Sequence, residues 1–175
     1  YRPITKITYA VEHQFFGFDP GISHAINLLL YICIVLLIFK LLRILFSSTP
    51  EWVLFLICAL FAVHPLHSEV VLSLKNREEL LTALFGFLTL YCAIVYFDKR
   101  NVFAIICGFL FILLGVNTKL TFFPFILFIP VSLWYVKRIN WKQSSILFVL
   151  TLVFSYFALT LPRYYFIKEN LARKV

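Results

Sequence analysis

Apolar residues run along this chain in long unbroken blocks, separated by short polar clusters. The first block covers about 22–46, with Ser23 placed to cap it and Lys40 and Arg43 placed to snorkel at its far end. The second, 52–64, is short and stops at Pro65. Four more follow at 80–97, 102–116, 120–136 and 144–161. Each block is continuous rather than alternating, which predicts bilayer-crossing helices and not the strands of a barrel. Pro124 and Pro130 predict a kink in the fifth. Residues 1–21 are too polar for a bilayer core. There Pro3 suits the first turn of a helix, and Ile4, Ile7 and Val11 lie opposite Thr5, Lys6 and Glu12. That spacing predicts a short amphipathic helix on the membrane surface, anchored by Phe15 and Phe16 and ended by the FGFDPG turn. The expected fold is therefore all-α: a polytopic transmembrane helical domain over 22–162 with about six spans, and a basic tail over 163–175.

Composition agrees. Hydrophobic residues make up 62% of the chain and charged residues 14%. Mean hydropathy is +0.95. A soluble domain carries about 25% charged residues. Cys33, Cys58, Cys92 and Cys107 all sit inside apolar blocks and read as small buried hydrophobes, not as ligands or disulfides. The net charge of +8 would point to nucleic acid in a soluble protein. Here the basic residues sit in short loops, and no periodic basic-aromatic pattern accompanies them, so no nucleic-acid partner is expected.

Six spans sort the loops onto two sides. Residues 1–21, 64–79, 117–119 and the tail share one side, and 47–51, 98–101 and 137–143 share the other. The second side gathers Lys40, Arg43, Lys99, Arg100, Lys137, Arg138 and Lys142 against Glu51 and Asp98, so it is expected to be cytoplasmic. The tail, with Arg163, Lys168, Arg173 and Lys174, runs against that assignment. Most acidic and histidine side chains collect on the first side.

The richest stretch there is His64-Pro65-Leu66-His67-Ser68-Glu69, followed by Lys75-Asn76-Arg77-Glu78-Glu79. A carboxylate beside histidines suits proton abstraction or metal binding. Nearby Lys and Arg suit a phosphate. Structural alternatives stand beside these readings. Asn76 with Glu79 resembles a capping box, and Glu78 and Glu79 favour a helix dipole. Glu69 has no helix start that needs it, which favours function. His64 and His67 match no recognised zinc spacing, so no metal is assigned, although a divalent ion is compatible. His24, Asn27 and Tyr31 form one stripe on the first span, suited to hydrogen bonds between helices or to lining a cavity. Lys119 breaks two apolar blocks and can either snorkel or hold a phosphate. Arg2 and Arg163 are further cations on the same side. Walker, GxGxxG and GxSxG motifs are missing.

Three stretches carry a family resemblance: YRPITKITYAVEHQFFGFDPGISHAINLLLY, ALFAVHPLHSEVVLSLKNREELLTALF and LGVNTKLTFFPFILFIP. They resemble the membrane region of the TMTC-type O-mannosyltransferases and their bacterial relatives, of the GT-C class. The matching positions are Tyr1-Arg2-Pro3, His24 and Asn27, His64, Pro65, His67 and Glu69, Arg77, Glu79, Leu80 and Leu81, and Lys119, with LPRYY around Arg163 similar to a further family arginine. The resemblance implies a GT-C-like bundle that transfers a mannose-like sugar, with inversion, from a polyprenyl-phosphate donor to a protein or glycan acceptor on the non-cytoplasmic face. It implies Glu69 as the catalytic carboxylate, Arg77, Lys119 and Arg2 as donor-phosphate ligands, and His24, Asn27, His64, His67 and Glu79 as site-lining residues. The location would be a bacterial inner membrane or the endoplasmic reticulum, with membrane lipid and membrane-protein partners. The family's acidic pair in the first outer loop would precede Tyr1, and its later helices and TPR repeats would follow Val175. The segment alone is therefore expected to lack catalysis. The alternative is a non-catalytic scaffold or accessory subunit, a degenerate GT-C homologue. A transporter is disfavoured by few intramembrane charges and no inverted repeat.

Overall fold

The computed structural model describes residues 2–172, with side chains omitted at 163 and 165–172. Tyr1, Arg173 and Lys174, and the side chains of Arg163 and Lys168, lie outside the described residues. Every regular element among the described residues is helical: α1 (Pro3–Phe16), α2 (Pro20–Leu45), α3 (Glu51–Ala62), α4 (Pro65–Leu72), α5 (Arg77–Lys99), α6 (Val102–Thr118), α7 (Phe123–Tyr135) and α8 (Trp141–Ala172). Short 3-10 turns at Leu74–Asn76 and Leu120–Phe122 lead into α5 and α7. Helices α2, the 74–99 segment, and α8 as far as Pro162 are each long and apolar enough to cross a membrane. The pair α3 and α4, bent by 56° at a short break, makes a fourth crossing if taken as one broken span. The apolar helices α6 and α7 are shorter.

Helix boundaries follow local chemistry. Pro3 and Pro20 occupy first turns, where a missing N–H costs nothing. Gly17, at φ 71, ends α1 in a conformation that side chains disfavour. Asp19, not Ser23, caps α2: its Oδ1 accepts the Gly21 N–H at 2.8 Å. Asn101 caps α6 in the same way through the Phe103 N–H, 2.9 Å. Two further expectations change. The 64–79 stretch, read as a polar loop, begins with the helix α4, because Pro65 stops α3 yet is well suited to start the next helix. Helix α8 also continues through Pro162 to Ala172, where the sequence predicts a tail.

Two apolar clusters hold the bundle. Leu41, Leu90, Ile94, Ile129, Leu133 and Ile139 join α2, α5, α7 and the turn after α7. Ile112, Val116, Phe122, Ile126 and Ala158 join α6, α7 and α8. Around them the helices present Leu28, Leu29, Leu36, Phe55, Ile146 and Leu150 outward, a surface suited to lipid and not to water. The second cluster depends on one close approach. A Cβ on Gly115 would enter the van der Waals shell of the Phe122 ring, which is fully buried. Gly115→Ala should gain about 1 kcal/mol of helix propensity. Overpacking against a fixed ring costs about 1–3 kcal/mol. The net expected result is a lower melting temperature in detergent; an unchanged or raised one would mean that α6 and α7 can part without cost.

Candidate functional site

The start of α5 is the polar centre of the molecule. Arg77, 1% exposed, opens that helix. Its Nε donates to Asn27 Oδ1 at 2.9 Å, and Nη2 donates to the Ser23 carbonyl at 3.3 Å. Nη1 pairs with Glu12 Oε2 at 2.5 Å. The guanidinium carbon lies 4.2 Å from the Tyr9 ring centroid. One fork of donors thereby joins α1, α2 and α5, a task that suits Arg and not Lys. The Ser23 hydroxyl also donates to Glu12. Beside this node, buried Glu78 pairs with Arg2 and with Lys119 Nζ at 3.0 Å. Lys119 also reaches Glu79, whose second oxygen accepts from Thr121 Oγ1 at 3.2 Å. Asn76 makes no side-chain cap bond, so the expected capping box is not formed; Glu79 is turned to Lys119 instead.

The ion pairs shift the titrations. Burial pushes the Glu12 carboxyl up, but the Ser23 hydroxyl and Arg77 outweigh it and hold it below the ordinary glutamate value. Hydrogen bonding to Glu79, opposed by burial and aided by Glu78, holds Lys119 above its ordinary value. A carboxyl depressed in the folded state contributes stability above its unfolded pKa of about 4.3, and loses it as pH falls through the folded value. Acidification below about pH 4.3 should therefore lower the melting temperature, and Glu12→Gln should flatten that dependence. An identical slope in both proteins would show that Glu12 titrates alike in the folded and unfolded states and contributes nothing to the acid loss.

The α2 stripe has a structural role at the α3–α4 break. A helix end leaves carbonyls without intrahelical partners. Tyr31 donates to the Phe61 and Ala62 carbonyls at 3.2 and 3.0 Å. His67 Nδ1 lies 2.6 Å from the same Phe61 carbonyl. A carbonyl only accepts, so that nitrogen carries the proton, and in the neutral ring Nε2 remains an acceptor. His64 Nδ1 instead accepts the Leu66 N–H at 3.3 Å, and the two imidazoles stand 5.6 Å apart. Fully buried Asn27 reaches the Val71 and Ser73 carbonyls at 3.4 Å as well as Arg77. His24 Nδ1 is buried without a hydrogen-bond partner.

Glu69 projects from α4 and is exposed. Among the described residues no hydrogen bond or ion pair engages its carboxylate. The sequence-predicted set thus divides: Asn27 and Arg77 join one cluster with Glu12, Arg2, Glu79 and Lys119 join a second with Glu78 beside it, His64 and His67 frame the helix break, and Glu69 and His24 are joined to none of these. No group of three or more His, Cys, Asp or Glu side chains placed to hold a metal occurs among the described residues. Tyr9, Glu12, Ser23, Glu78 and Thr121 are the members of these clusters that the site reading omitted. Thr5, Tyr9 and Glu12 recur at i, i+4 and i+7, a helical stripe that signals an inward polar face. The structure turns that stripe toward the bundle and leaves Ile7, Val11, Phe15 and Phe18 outward at 57%, 48%, 73% and 93% exposure.

At the other end of α5, Asp98 accepts two bonds from Arg138, at 2.6 and 2.9 Å. Arg43 meets Glu51 at 2.6 Å, and Lys40 lies 4.2 Å from the Tyr91 ring centroid. The two polar loop sets read from the sequence therefore close on themselves, one at each end of α5.

The chain is 33% identical over 101 residues to protein O-mannosyl-transferase tmtc2 of Xenopus laevis, covering 58% of this chain and 12% of that protein. It is 35% identical over 107 residues to mouse TMTC4, covering 53% and 14%, and 30% identical over 102 residues to Drosophila melanogaster Tmtc3, covering 48% and 11%. The chain thus spans a small fraction of the length of these relatives. No family model matches it, and no solved structure matches it. Over about half its length, then, the chain is similar to the TMTC-type protein O-mannosyl-transferases, the family that its motifs resemble.

Proposed function

We propose that this chain is part of a membrane glycosyltransferase of the GT-C class that moves a mannose-like sugar from a polyprenyl phosphate to a protein or glycan hydroxyl on the non-cytoplasmic face. The observation that carries the proposal is the exposed carboxylate of Glu69, unpaired among the described residues, in the second half of a broken span. Glu69 would take the proton of the acceptor hydroxyl as its oxygen attacks the anomeric carbon. The bond from that carbon to the phosphate oxygen breaks with inversion, and the polyprenyl phosphate leaves with the electron pair. Arg2 and Lys119, at the network's edge, would exchange Glu78 and Glu79 for the leaving phosphate. Arg77 is too enclosed for that exchange and serves as a positioning residue. The outward apolar face of α1 would lie in the headgroup region of the same leaflet.

The donor is tested with the full-length protein in detergent. Radiolabelled mannose should pass to acceptor from dolichyl or undecaprenyl phosphate mannose and not from a nucleotide sugar. Transfer from the nucleotide sugar alone would contradict the proposed donor. One observation favours the scaffold alternative: Arg2, Arg77 and Lys119 already balance Glu12, Glu78 and Glu79, so the network is complete without a ligand. A full-length protein inert with every donor would select it.

A further inference from the structure

The Tyr9 hydroxyl donates to the Leu74 carbonyl and so ties α1 to the 3-10 turn before α5. Burial, the largest influence on Tyr9, holds its pKa above the ordinary value and keeps that donor protonated. Along this tie lies a cleft of about 450 Å³, lined by Arg2, Thr5, Lys6, Lys75 and Glu78 among others. Lys6 sits one helical turn before Tyr9, and Lys75 follows Leu74, so the tie brings two lysines from distant parts of the chain to one opening. Both are exposed, and no carboxylate pairs with either among the described residues. The cleft's own carboxylate, Glu78, is already shared by Arg2 and Lys119. Thr5, only 6% exposed, keeps its Oγ1 without a hydrogen-bond partner. A buried orphan hydroxyl is costly unless something meets it.

We propose that this cleft binds a phosphate ester, with Lys6 and Lys75 neutralising its charge, Thr5 Oγ1 donating to one of its oxygens, and Arg2 at its edge. The inference rests on the reading of this face as a phosphate-binding one and extends it to side chains which that reading left out. Two unpaired cations and a short donor suit a compact dianion or monoanion, whether on a lipid or free in solution.

The test uses the full-length protein in dodecyl maltoside, which carries no phosphate, at low ionic strength. Dodecyl phosphate and inorganic phosphate are titrated in separate arms. Wild-type protein should bind dodecyl phosphate. Binding of inorganic phosphate as well would assign the site to the phosphate group itself, and binding of dodecyl phosphate alone to a lipid-borne phosphate. Lys6→Ala combined with Lys75→Ala should weaken binding about tenfold or more, and Thr5→Val about fivefold, with Thr5→Ser near wild type. Equal affinity in wild type and the double lysine variant overturns the proposal. Mannosyl transfer is followed on the same preparations to separate the two readings. Transfer that depends on Glu69, with phosphate binding indifferent to Lys6 and Lys75, sinks the cleft and leaves the transferase. Lysine-dependent binding in a wild-type protein without transfer keeps the cleft and sinks the transferase.

Discussion

Arg77→Leu should destabilise the folded protein by about 3–5 kcal/mol, the range for removing one partner of a buried charge pair. The loss is large because the guanidinium does four things in one place. It neutralises Glu12, satisfies Asn27 and the Ser23 carbonyl, and stacks on Tyr9. Leucine would leave the buried Glu12 carboxylate with the Ser23 hydroxyl alone. The size of the effect comes more from this stranded charge than from the lost attraction, which desolvation of both ions largely offsets. Two controls separate these contributions. Glu12→Gln added to Arg77→Leu should recover part of the loss, because a neutral amide is cheaper to bury than an unpaired carboxylate. Arg77→Lys should fall between wild type and leucine, since an ammonium keeps the charge but cannot serve Glu12, Asn27 and Ser23 together. Melting temperatures in detergent, read from the fraction that stays monodisperse, measure all three. An Arg77→Leu protein that melts with wild type would mean that α1 and α2 are held by other contacts.

The helical frame was legible because a bilayer leaves so few choices. Apolar blocks near 20 residues must be helices, and the structure's α2, α5 and α6 begin and end within about three residues of the blocks read from composition. Proline misled twice, in opposite directions. At Pro65 the chain stops one helix and starts another, which reads as a loop if the following polar residues are taken at face value. At Pro162 the helix simply continues. Neither outcome is encoded in the proline itself; neighbouring contacts decide it. In the candidate site, the residue types were legible and their partners were not. The ion pair between Arg2 and Glu78 spans 76 positions, and Arg77 reaches back to Glu12 on α1. No local spacing predicts such pairs. The sequence places both Arg77 and Glu69 in the site, one as a phosphate ligand and the other as the catalytic carboxylate. The fold separates them: one is enclosed and fully engaged, the other exposed and, among the described residues, unpaired. The stripe of His24, Asn27 and Tyr31 correctly indicated hydrogen bonds between helices for the last two. Its purpose, serving carbonyls at the ends of α3 and α4, became visible only once those ends were in place.

The two outward faces of α1 and α4 also change how the site is understood. Leu66 and Leu72 on α4 and Phe15 and Phe16 on α1 are all exposed. Both helices are short, both start with a proline, and both contact the polar end of α5. Apolar side chains so exposed fit a position at the headgroup boundary, where one face is in lipid and the other is on protein. The proposed lipid-borne donor would reach Glu69 from that boundary.

Glu69→Gln in the full-length protein is the most direct test of this account. The substitution keeps the size of the side chain and removes its capacity to take a proton. Glu69 has no partner among the described residues, so the folded protein should be unaffected, and the melting temperature should match wild type. General-base catalysis contributes about 10²–10⁴-fold to a rate. Mannosyl transfer from a polyprenyl phosphate donor should therefore fall by about 10²-fold or more, with the loss in kcat and not in donor affinity. Transfer at the wild-type rate in a normally folded Glu69→Gln protein would contradict the account, and would remove the exposed carboxylate of the broken span from the chemistry.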